Sequence, residues 1–84
     1  MAQITIMDHV VFPDGSTNEV HATITHEGCK INYGTLEINV SWEQMADVEQ
    51  LSEMFADVTV RVFKVVVQLL GRIYAGKDAY KLVV

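Results

Sequence analysis

Through the first half of the chain, apolar and polar residues alternate with a period of two. Over residues 4–12, Ile4, Ile6, Val10 and Phe12 share one face, and Asp8 interrupts their stripe. Pro13-Asp14-Gly15-Ser16 is a turn signal, because proline presets φ and glycine accepts conformations that other residues avoid. Val20, Ala22 and Ile24 then alternate with Glu19, His21, Thr23 and Thr25, the pattern of a half-buried strand. Glu27-Gly28 makes a short reversal, after which Cys29, Ile31 and Tyr33 resume the alternation. At Gly34 the phase slips by one, since Leu36, Ile38 and Val40 continue on even positions. Such a slip means a bulge in one long strand or a tight turn between two, and a bulge is the expectation. This half reads as an antiparallel meander of three to four strands with one polar face.

The period changes at Ser41. Ser41-Trp42-Glu43-Gln44 matches a capping box, in which the serine oxygen and the glutamine side chain satisfy backbone amides at a helix start. Met45, Val48, Leu51, Phe55, Val58, Val62, Val65, Leu69 and Ile73 follow at spacings of three and four. Asp47, Gln50, Asp57, Arg61, Lys64, Gln68 and Arg72 fill the complementary stripe, which predicts a helix over residues 42–74. The β-branched run from Val58 to Val67 favours a strand by propensity. Strict alternation fails at Val65-Val66-Val67, however, so the helical period decides. Gly76 is a helix stop, and Tyr80, Leu82 and Val84 alternate as a short last strand. The expected class is α+β: a meander, then a long helix, broken or unbroken, then a C-terminal strand, all in one domain over residues 1–84.

An unbroken helix of about 30 residues would be about 45 Å long. A compact chain of this size has a diameter of roughly 30 Å. The helix therefore breaks, most naturally at Ala56-Asp57-Val58-Thr59, or projects beyond its own sheet. A projecting rod would leave Val58, Val62, Val65, Val66 and Leu69 to be covered by a second copy. Charge divides along the same stretch, with Glu43, Asp47, Glu49, Glu53 and Asp57 first and Arg61, Lys64 and Arg72 after. Two antiparallel copies would set acidic halves against basic halves, so a homodimer is expected.

Composition narrows the function. The chain has 84 residues, half of them apolar, and a net charge of −5. Acidity disfavours direct nucleic-acid binding. It suits a basic protein partner, including one that itself holds nucleic acid. Charges interrupt residues 58–70, the longest apolar run, so no membrane span is expected. A single cysteine and an N-terminus without an export signal point to the cytoplasm.

Candidate chemistry is sparse. His21, His26 and Cys29, with His9 and Glu19 nearby, have donor types that zinc accepts. His21 and His26 are an odd number apart, so a regular strand points them to opposite faces. A Cys29 nucleophile would need a base, and only His26 lies within reach in sequence. Asp8 and Glu19 could face one another across adjacent strands. Strand-surface histidines and a buried thiol account for these residues more simply, so neither metal, cofactor nor catalysis is expected. The reading is a non-catalytic protein-binding module, an inhibitor or adaptor that occludes a partner's surface. Phage-encoded inhibitors of host defence are one such class. The expected contacts are Tyr74, Tyr80, Arg61, Lys64, Asp57 and Glu53. A subunit of a homotypic assembly is the alternative, and a small metal- or cysteine-dependent enzyme is a third.

Overall fold

The computed structural model describes residues 3–84 and has an α+β architecture. Four strands, β1 (Ile4–Val11), β2 (Thr17–Thr25), β3 (Gly28–Tyr33) and β4 (Leu36–Ser41), form one antiparallel sheet in chain order. Four helices follow: α1 (Trp42–Met45), α2 (Val48–Met54), α3 (Val60–Ala75) and α4 (Lys77–Val83). The helices lie against one face of the sheet and leave the other open.

Each turn follows from its residues. Between β1 and β2, Gly15 has φ 88° and donates to the Phe12 carbonyl, while the Phe12 amide donates to Ser16. A three-residue loop of this kind needs a left-handed residue at its third position, which glycine supplies. Between β3 and β4, Tyr33 pairs with Leu36, and Gly34 has φ 59°. The phase slip at Gly34 is thus a two-residue turn between two strands and not the expected bulge. A two-residue loop changes which parity faces inward, as a bulge would, so alternation alone does not separate them.

The inner face carries Val10, Val20, Ala22, Ile24, Cys29, Ile31 and Val40, all almost fully buried. Leu51, Phe55, Val62, Val66, Leu69, Leu70 and Ile73 close over them from α2 and α3. Trp42 packs inward too, and its indole Nε1 donates to the His26 carbonyl at 3.1 Å. Phe55 and Phe63, with ring centroids 6.4 Å apart, join α2 to α3.

The expected long helix over residues 42–74 is broken into three. Ser41 begins α1 with the complete capping box. Asp47 starts α2 by accepting from the Gln50 amide, and Thr59 starts α3 by accepting from the Val62 amide. The second break falls where length demanded one. The valine-rich stretch is helical over α3, whose 16 residues span about 24 Å. It fits within a molecule whose longest extent is 40 Å, so nothing projects. The expected C-terminal strand is the helix α4. Gly76 does end α3 as its C-cap, but it keeps a negative φ of −95° and its carbonyl accepts from the Tyr80 amide, so a new helix starts at once in place of the strand. Three alternating residues are too few to separate a strand from two helical turns. Among the described residues, no helix is long and apolar enough to cross a membrane.

Candidate functional site

The strand pleat gathers His9, Glu19 and His21 on the open face, with His9 Nε2 3.9 Å from Glu19, and separates them from Asp8 and Cys29. His21 lies on the open face, where its Nε2 is 3.0 Å from Glu19. His26 sits in the turn before β3, and Cys29 faces inward opposite Val40. Burial pushes the Cys29 thiol up to about 12, which keeps it protonated and poorly nucleophilic at neutral pH. Asp8 pairs with Val20 on the inner side of the ladder, one position out of phase with Glu19, so these carboxylates take opposite faces. No group of three or more His, Cys, Asp or Glu among the described residues could hold a metal. A shallow cleft of about 950 Å³ opens beside the β2–β3 turn, lined by His26, Glu27, Asn39, Gln44 and Val84 among others.

The expected dimer residues are mostly spent inside the chain. Val62, Val66 and Leu69 are 3%, 1% and 0% exposed, and Val58 and Val65 are half-buried beside the same core. Val62, Val66 and Leu69 are unavailable to a second copy while this core is formed, so their burial needs no helix-packed dimer. Tyr74 and Tyr80 also pack against the core. Arg61, Lys64, Glu53 and Asp57 are exposed. Arg61 reaches back to β1 and donates to the Val11 carbonyl at 3.2 Å.

What the structure assembles at its surface is a sheet with two open edges. In an antiparallel ladder, hydrogen-bonded and non-hydrogen-bonded pairs alternate. The Phe12–Ser16 bond fixes the phase for β1, whose even residues bond β2 and whose odd residues direct their backbone outward. The Tyr33–Leu36 turn fixes it for β4, whose outward residues are Glu37, Asn39 and Ser41. Side chains close part of each edge. Asp8 Oδ1 accepts from the His9 amide at 2.8 Å and Arg61 covers the Val11 carbonyl, while Gln44 accepts from the Ser41 amide at 2.9 Å. Between these caps, Thr5 and Met7 on β1, and Glu37 and Asn39 on β4, keep both outward groups without a partner among the described residues. The two open windows have the same length and spacing.

The inner-face side chains along these windows are incompletely covered. Ile4 and Ile6 on β1, and Leu36 and Ile38 on β4, are half-buried, whereas Ile24, Ala22 and Ile31, the partners of Ile4, Ile6 and Ile38, are buried. Charge differs between the two sides. The α3 helix packs on β1 and β2, and both Arg61 and Arg72 reach β1, Arg72 through a 2.7 Å contact to Asp8. The α1 helix packs against β4, and the stretch that follows carries Glu43, Asp47, Glu49, Glu53 and Asp57, none in an ion pair among the described residues. Sequence reasoning missed these windows because it named side chains, and the reactive groups here are backbone. The signal was the strand order, since a meander that does not close into a barrel leaves its first and last strands at the edges.

Comparison with protein-family models, with curated proteins and with solved structures finds no match for this chain.

Proposed function

We propose that the protein works by binding other proteins, as an inhibitor or adaptor that occupies a partner's surface, and not by chemistry. The observation that carries this reading is the pair of open windows at Thr5/Met7 and Glu37/Asn39, each flanked by half-buried apolar side chains. An unpaired strand edge offers a row of donors and acceptors that an extended segment of another protein can complete. The main chain then supplies affinity and the neighbouring side chains supply selectivity. The protonated, buried Cys29 favours this reading over a small cysteine-dependent enzyme.

The test is a lysate capture with the full chain as bait, run beside Met7→Pro and Asn39→Pro. Proline at either position removes an outward amide without breaking the protein's own ladder. A partner retained by the wild type and lost from one variant supports the reading. Capture by all three baits alike, or by none, overturns it.

A further inference from the structure

We infer that the chain assembles with itself head to tail, the β1 edge of one copy pairing with the β4 edge of the next. This rests on the reading that the open edges bind protein, and it names a second copy of the chain as the partner.

Three independent features fit. The first is direction. Strands alternate along the meander, so β1 and β4 run oppositely, and a second copy that continues the sheet presents β1 antiparallel to β4. Every helix then stays on the same face.

The second is register. Setting Thr5 opposite Asn39 of the next copy, and Met7 opposite Glu37, satisfies both outward groups of all four open residues and calls on none of the capped ones. Shifting by two residues in either direction pairs an open residue with a turn residue or with the capped Ser41. The chosen register also places Ile6 opposite Ile38 and Ile4 opposite Val40 on the inner face, which covers Ile4, Ile6 and Ile38, half-buried in one copy.

The third is charge. The junction brings Arg61 and Arg72, above β1, towards the side that carries Glu43 and the carboxylates of α2, while Glu37 lies on the open face beside Lys30. Pairing β1 with a second β1 would instead set the two arginines of each copy against their own duplicates. Opposite charges across an interface favour the first arrangement and suppress the second. A head-to-tail contact uses two different surfaces, so it grows into a ring or a filament and does not stop at a dimer.

Light scattering on the purified full chain tests this, from micromolar to millimolar concentration at low salt. The wild type is expected to grow past the dimer. Met7→Pro and Asn39→Pro are each expected to be monomeric. Mixed together they are expected to form a one-to-one dimer, because each retains the edge the other lacks. Circular dichroism checks that both proline variants are folded. Met7→Glu, which leaves the backbone intact and opposes Glu37 of the next copy, is expected to weaken association at least tenfold at low salt and to regain part of it at high salt. A wild type that stays monomeric at millimolar concentration overturns the inference, as does a dimer abolished by Met7→Pro but kept by Asn39→Pro. A lysate partner captured by a monomeric wild type would leave the protein-binding reading standing without this one. Self-assembly with no foreign partner would do the reverse.

Discussion

Among the described residues, the sheet contributes seven buried apolar side chains and the helical layer nine, yet the two layers are specified by different means. Each strand is placed by turn geometry. Gly28 shows how tightly, because its φ is 152° and a Cβ there would overlap the Val40 carbonyl oxygen and lie 2.9 Å from the Ser41 Cα. The helices are placed by caps at their starts and by the volume of the side chains they press onto the sheet. The sheet should therefore fail through its backbone and the helical layer through its side chains. Within the helical layer the contrast repeats, since α3 buries five residues and α4 none.

The largest effect should come from volume. Leu69→Ala, at a site with no exposure, should lower unfolding free energy by about 2–5 kcal/mol in a urea titration. Leu82→Ala, on a side chain 89% exposed, should change it by less than about 0.5 kcal/mol. Equal losses at the two sites would mean that α4 is as well buried as α3. The backbone counterpart comes next. Gly28→Ala should cost about 3 kcal/mol, as backbone strain with no room to relax. Gly34→Ala meets open space and should cost about 1–2 kcal/mol for its left-handed φ alone. A Gly28→Ala protein as stable as Gly34→Ala would show that β4 can withdraw from the β2–β3 turn.

Cys29 joins the two layers and adds a pH dependence. Its folded value is raised from 9.0 to about 12 by burial, so above pH 9 the unfolded chain sheds a proton that the folded chain keeps. The stability from this group is intact below pH 9 and declines as pH rises towards 12, at up to about 1.4 kcal/mol per pH unit. Alkaline unfolding of the wild type should be steeper than that of Cys29→Ala over this window. Parallel curves would place the thiol in water. A modest effect is expected at a cap, where Thr59→Ala should cost about 1 kcal/mol and fray the start of α3.

The same division explains what the sequence made legible. Alternation located the strand segments, because a sheet with one covered face repeats its burial every second residue, but it favoured β3 and β4 as one bulged strand. The period of three and four located the covered helical face and overrode the β-branched valines, since Val62, Val66, Leu69, Leu70 and Ile73 turn towards the sheet together. That period was blind to the breaks. Successive helices lying on one sheet keep their apolar faces in a common direction, so the spacing runs on through the interruptions. Asp47 before Val48-Glu49-Gln50 and Thr59 before Val60 were the local signs of new helix starts, and both side chains do cap. At the C-terminus, Tyr80 and Val84 fitted either period, and only the exposed Leu82 departs from the helical one. The open windows left no mark in composition, because Thr5, Met7, Glu37 and Asn39 are ordinary surface residues whose importance lies in which way their amides point.

The strand order also sets a timetable. Every hairpin is closed by a loop of three residues or fewer, so the sheet can form in microseconds from neighbours in the chain. Its greasy side is finished at Ser41, but most of its lid belongs to α3, which ends at Ala75. At ribosomal speeds of about 5–20 residues per second, that lag lasts roughly 2–7 seconds. During translation the nascent sheet stands bare on one side for that interval, a natural substrate for chaperones or for a neighbouring nascent chain.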